Sequence, residues 1–495
     1  MPSINTWKEK AIRKRTSLLG LIPNEWRLSE SILKSLPKDC TRVPSQCGIL
    51  SKLDLEITEI DDIDELASHV ANGRYTAVQV TEAYCKRAAI AHQLTNYQFN
   101  IKGVETAMGY VGYLGDIMEY NSILVDCILS LGAVVYVKTA APQTIMLPET
   151  RSNLLGVTIN PRNRELSCGG SSGGEGSLVA LKGSICGFGT DIGGSVRIPA
   201  AVNGIYGLRP SDGRIPYGLA KNSLEGQESV PSVVGPITRS LANIITILKL
   251  ITEVKPWLVD PKVHNIPWRE NMHKEGQSSK LCFGVIRFDG LAHLSPPVQR
   301  AIDIAVAAVR KVGHEVIEWD TSDHLQAMIM LSQMSTADGG KDVQVALDLS
   351  GEPKQPGVFV GSKNTELSVY EYWQVNAART KYATEYLTKW NKTTYPTGFK
   401  LDLGYTGIAN ILQLSSVVLP VTRVDLKLDQ ITDEYRNIDL ASEYDRATKD
   451  AYKGPEMFEN IIVGLQVICR RLEEEKAISM AMVLEQALQF SWSKL

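Results

Sequence analysis

Two serines carry the chemistry this sequence can do. Ser171 sits in Gly169-Gly170-Ser171-Ser172-Gly173-Gly174 and Ser195 closes Asp191-Ile192-Gly193-Gly194-Ser195, both inside Cys168 to Arg209, where glycine and small hydroxyl residues are most concentrated. Glycine–serine runs are ordinarily flexible linkers. The neighbours here argue otherwise. Gly176 to Leu181 is a helix-compatible run with Glu175 in its first turn, where negative charge suits the helix dipole. Ile185 to Thr190 reads as a buried strand that runs straight into the second glycine pair. Glycines before a serine open a backbone path closed to residues with a β-carbon, so successive N–H groups can turn toward one point. A carbonyl attacked by the Ser195 hydroxyl would develop negative charge where Ile192, Gly193 and Gly194 offer those groups. Ser171, both donor and acceptor, is placed to relay the proton and to contact substrate.

Competing chemistries find less support. The seven histidines form no H-x-H or H-E-x-x-H spacing, so no metal site is expected. The eight cysteines lack any C-x-x-C pair and read as reduced, mostly buried thiols; Cys168, beside the first glycine loop, has no histidine or basic motif near it in sequence to activate it. No G-x-S-x-G elbow is present. Gly169 to Gly176 lacks the Gly-Lys-Ser/Thr ending of a phosphate loop, and Gly187 to Gly193 has one residue too many for a dinucleotide fingerprint.

GGSSGGEG followed by GTDIGGSVRIPA resembles the signature of the amidase signature family, which hydrolyses carboxamides with a Ser-Ser-Lys triad. LIPNEWRL, GAVVYVKTAAPQT, VLPVTRVD and ENIIVGLQVICRRLEEEKA extend the likeness toward its fungal acetamidase or general amidase branch. The resemblance implies an α/β fold, a single large domain whose central mixed β-sheet is covered by helices on both faces, working without metal or organic cofactor. It implies Ser195 as acylated nucleophile and Ser171 as bridging serine after a cis peptide bond. Ile192, Gly193 and Gly194 fall on the oxyanion positions, and Asp191 and Arg197 on a structural pair bracing the loop.

The family's base is a lysine in a Gly-x-Pro-x-x-x-Lys-Asp strand, and nothing here matches it. Asn96 passes directly to Tyr97, where relatives carry a long stretch, and a second shortening lies near 393–403. Lys102 falls about six residues past the family's lysine, roughly 20 Å in extended chain, and reads as an exposed lysine. Lys138 resembles a structural position. Two functions therefore stand: a carboxamide hydrolase acting through acyl-Ser195, or a catalytically impaired protein or binder of the same fold. A sequence lacking coding segments would also give this pattern.

The elements that must position these residues are legible by period. Thr76 starts a helix with Val80, Ala83, Tyr84, Ala88 and Ala91 on one face. Ser122 to Leu131 reads as a helix stopped by Gly132 and leading into a strand, Ala133 to Val137. Leu281 to Ile286, Pro297 to Val312 and Glu315 to Trp319 alternate strand, helix, strand. Ala477, Met480, Ala481, Leu484 and Leu488 form one apolar helix face, and Tyr206, Arg209 and Pro216 are expected to fix loops beside the site. Residues 1–60 read as a helical and loop layer packed on an amidase domain over 61–495.

Composition fits an ordinary soluble globular protein: 44% hydrophobic and 22% charged residues, with net charge -3 and pI ≈ 6.2. That balance gives no reason to expect nucleic acid, and the short basic run Lys8 to Arg15 reads as a solvated helix face. No secretory h-region and no run of eighteen apolar residues is found, so a cytoplasmic location is expected. The expected partners are a small-molecule amide and a second copy in a homodimer, with neither nucleic acid nor membrane.

Overall fold

A computed structural model describes residues 6–95, 102–278, 280–392, 399–402 and 406–489. The junction at Asn96 and Tyr97, and most of the second shortening, lie outside those residues.

Eight strands build the main sheet: β1 (Cys186–Asp191), β2 (Tyr206–Arg209), β3 (Val233–Thr238), β4 (Cys282–Val285), β5 (Glu315–Glu318), β6 (Phe399–Asp402), β7 (Ser415–Arg423) and β8 (Ile462–Cys469). Their spatial order is β1-β3-β2-β7-β8-β6-β4-β5. Strand β4 runs parallel to β5 and β6, and the remaining neighbours are antiparallel, so the sheet is mixed as expected. Strands β7 and β8 are almost continuously apolar, as a sheet covered on both faces demands. Pro420, which has no N–H for the ladder, sits where the β7–β8 register slips.

Among the described residues, the helices that frame the sheet and the site include α1 (Trp7–Gly20), α2 (Ala77–Thr95), α3 (Gly173–Ala180), α4 (Arg197–Asn203), α5 (Leu241–Glu253), α6 (Pro296–Lys311), α7 (His324–Thr336), α8 (Val369–Asn391) and α9 (Glu474–Ala487). Successive side chains of a strand point to opposite faces. Accordingly Val417, Leu419 and Val421 of β7 pack with α5, α6 and α9, while Val418 packs with Val179 of α3 and Val196, Ala200 and Ala201 around α4. The two serine loops, which lead into α3 and α4, belong to the second face.

Local signals explain the helix starts. Thr76 Oγ1 accepts the Gln79 N–H at 3.2 Å, and Ala83, Tyr84, Ala88 and Ala91 are buried. Pro296 and Pro297 fill the first turn of α6, where missing N–H groups cost nothing. In α9 the expected face is buried from Ala477 to Leu484. The N-terminal sixty residues are more helical than loop-like: besides α1, helices span Glu30–Lys34, Val43–Gln46 and Lys52–Glu59. Leu28, Cys40, Val43 and Leu50 from this layer pack on Ala88, Ala91 and Leu94 of α2 and on Leu178. Among the described residues no helix is long and apolar enough to cross a membrane.

One expectation fails. Ala133 to Val137 follows the helix Ile123–Ser130 and Gly132, whose φ of 85° gives the expected stop, yet it belongs to no ladder. Its apolar, β-branched sequence suits a strand, but among the described residues no strand lies alongside to pair with it.

Candidate active site

The first serine loop is shaped by close packing. Gly169 adopts φ 75°, and a β-carbon on Gly170 would come within 2.6 Å of Leu147 O. The Gly170–Ser171 peptide is cis. Asn203 donates from Nδ2 to Cys168 O at 2.8 Å, and Thr150 Oγ1 lies 2.9 Å from Gly169 O while accepting the Gly173 N–H at 3.0 Å. Ser171, 2% exposed, is thereby held at the head of α3.

The second loop turns around one carboxylate. Asp191, at the end of β1, accepts from Arg197 Nε and Nη2, both at 3.0 Å, and from Asn410 Nδ2 at 2.9 Å. It also accepts the Val196 N–H at 3.2 Å. Burial alone would raise its pKa, but the Arg197 and Arg209 guanidiniums hold it well below the usual carboxylate range. Arg209, whose Nε stands 3.7 Å from Asp191 Oδ1, is pushed down by burial to about 10.

The two loops meet. The Ser172 N–H donates to Ser195 O at 3.1 Å, so the residue after one serine is bonded to the other serine's own carbonyl. Ser195 is 9% exposed and directly precedes Val196 and α4.

Gly194 departs from expectation. Its N–H donates to Asp191 Oδ1 at 2.9 Å and is therefore not free for an oxyanion. The Ile192, Gly193 and Ser195 amides remain.

Several contributors lie far away in sequence. Thr406 Oγ1 bonds Gly193 O and would meet a β-carbon on Gly194 at 2.4 Å, while Thr406 O accepts from Arg197 Nη1 at 2.9 Å. Asn410 and Gln466 complete the cradle of Arg197, at 2.6 and 3.1 Å. Met328 and Leu331 of α7 crowd Gly407, next to Thr406, so this helix reaches the loop's support. No local pattern announces Thr406, Asn410 or Gln466. Only the need to satisfy a buried Arg–Asp pair implies such partners.

The lysines are accounted for differently. Lys102 is exposed, as expected. Lys138 is partly buried: Nζ donates to Glu105 O and to Thr106 Oγ1, the latter at 3.2 Å. Burial pushes its ammonium down to about 7, with Glu105 opposing and Lys14 assisting. The next residue, Thr139, donates to Glu175 Oε2 at 2.7 Å in the first turn of α3. The eight cysteines are all free thiols, and burial pushes Cys168 up to about 12, far from a reactive thiolate.

Comparison with known proteins agrees with this frame. The family model described as Amidase matches residues 97–477. The acetamidase of Emericella nidulans is 37% identical over 542 residues, covering 96% of this chain and 97% of its own. This chain belongs to the amidase signature family. The acetamidase of Aspergillus oryzae is 36% identical, with 97% and 98% covered. A solved structure of fatty acid amide hydrolase superposes with TM-score 0.90 at 28% identity, covering 98% of this chain and 95% of that one. As a member of the amidase signature family the chain is an amide hydrolase with the expected α/β fold. The acetamidase alignments run over 542 and 547 residues against a chain of 495, so these amidases carry residues with no counterpart here.

Proposed function

We propose that this chain hydrolyses small carboxamides through an acyl-Ser195 intermediate, releasing ammonia and a carboxylate. Ser195 Oγ attacks the carbonyl carbon while Ser171 takes the proton and hands it on, ultimately to the departing nitrogen. The oxyanion faces the amides of Ile192, Gly193 and Ser195. Water then cleaves the ester. The bond from Ser172 N–H to Ser195 O, which fastens the two serine loops, carries this reading. Asp191 and Arg197 brace the nucleophile's loop and touch no reacting atom. The acetamidase names of two relatives favour a short acyl group.

A second reading has its own observation: among the described residues no lysine bonds to either serine, and the amine of Lys138 is spent on Glu105 and Thr106. Without a general base, worth about 10²- to 10⁴-fold, the site would bind amides and turn them over slowly. Fluorophosphonate labelling of Ser195 and ammonia release from acetamide decide the matter. Both are expected, and both should vanish in Ser195→Ala. Labelling without turnover selects the slow binder, and neither signal in folded protein overturns both readings.

A further inference from the structure

Helix α3 has the serine loop at its head and a cavity at its tail. Eight residues at 1.5 Å rise separate the ends by about 12 Å. Val179 and Ala180 line this cavity, of about 640 Å³, which opens between the N-terminal layer and the core.

Its charges are unbalanced. Glu59 pairs with Arg87 at 2.9 Å and with Lys182, and Asp61 pairs with Arg239 at 3.2 Å and Lys182 at 3.8 Å. Those carboxylates are spoken for. The lining also carries Arg42, Arg162 and Arg423, with Asp39 as its remaining acid. Asp39 Oδ1 accepts from Thr41 N at 2.9 Å and Thr41 Oγ1 at 2.6 Å. Among the described residues no carboxylate oxygen lies within 4.0 Å of these three guanidiniums. Arg162 uses Nε on Asn203 O at 3.2 Å, and among the described residues its terminal nitrogens have no such anchor. Burial and the nearby Arg423 charge push Arg162 down to about 10, against the pull of Asp39.

Arg42 is exposed and Arg162 and Arg423 are half-buried, and gathering like charges along one cavity is unfavourable unless something neutralises them. Guanidinium forks match carboxylate and phosphate oxygens two at a time. Three cations facing one carboxylate leave two positive charges, and the volume lies within the ~300–1,000 Å³ of small-ligand sites. We propose that this cavity binds a small dianionic oxyanion, an organic phosphate or a dicarboxylate, through Arg42, Arg162 and Arg423. The site is separate from the serines and does not depend on how they act.

Calorimetric titration of the full chain at low salt tests it, with inorganic phosphate, ADP, succinate and, as a monoanion control, acetate. One dianion class is expected to bind one to one and acetate more weakly. Tightest binding by phosphate or ADP identifies an organic phosphate site, and by succinate a dicarboxylate site. Arg423→Gln and Arg42→Ala should each weaken that ligand by about tenfold or more. Neither side chain makes a described hydrogen bond that folding would lose, whereas Arg162→Gln also gives up its bond to Asn203. Failure of every dianion to bind at about 10 mM, or equal binding by both variants and the parent, overturns the proposal.

Discussion

The carboxyl of Glu175 is enclosed beneath strand β1. A β-carbon on Gly187 would come within 1.6 Å of its Oε1, and its described hydrogen bond comes from Thr139 at 2.7 Å. Burial pushes its pKa from 4.5 up to about 7, with Thr139 opposing. Between those two values the folded protein holds a proton that the unfolded chain has released, so stability falls as pH rises through the window, by ~3 kcal/mol in all. Glu175→Gln keeps the shape without the titration. Thermal melts from pH 4 to pH 8 should show a curve flattened between about 4.5 and 7, with the variant the more stable at pH 8; parallel curves would refute the assignment. Asp191 has the opposite character, since its carboxylate anchors Arg197, Arg209, Asn410 and two backbone amides. Asp191→Asn strands two buried guanidiniums and should cost about 3–5 kcal/mol in urea unfolding, together with loss of Ser195 labelling. From sequence, Glu175 looked like a helix-dipole residue, because helical position is local information and burial is not.

At the scale of elements, what could be read was what chain-local periodicity encodes. The β4-α6-β5 unit matches its expected spans to within a residue at each end, and the faces expected for helices α2 and α9 fall within them or, for Leu488, one residue beyond, because each buries one face of a regular pattern. The glycine loops were equally legible, since positive φ and close backbone approach leave glycine as their mark. Thr406 and Gln466 were not, because they reach Gly193 and Arg197 across more than two hundred residues of chain. Ala133 to Val137 failed for the same reason from the other side: strand propensity is local, but a ladder needs a neighbour. Hydrogen exchange should separate these cases. Apart from the Ala133 N–H bonded to Ile128 O, no backbone bond is described for 133–138, whereas β1 is paired along its whole length with β3. Amides of 134–138 are expected to exchange at least about a hundredfold faster than the alternate amides of Gly187 to Thr190 that point toward β3. Equal protection would show that a partner strand is present after all.

Taken whole, the molecule combines a braced Ser195 loop with, among the described residues, no lysine bonded to Ser171 or Ser195. Brace, loops and sheet are continuous, and the amidase likeness spans nearly the full length. The missing length is internal, because alignments longer than the chain still cover 96% and 97% of it. An unsupported Ala133 to Val137 is what a sheet would leave behind on losing an adjacent strand. If the base was lost with that strand, restoring it should restore the rate and little else. Inserting a family segment ending in Gly-x-Pro-x-x-x-Lys-Asp between Asn96 and Tyr97 is expected to raise kcat for acetamide by about 10²- to 10⁴-fold. The same insertion with its lysine changed to alanine should leave kcat at the level of the present chain while giving equal protection to 134–138. A rate gain that survives that change would assign the effect to packing rather than to proton transfer. No gain from either insertion would place the base elsewhere, with Lys138 the first residue to substitute.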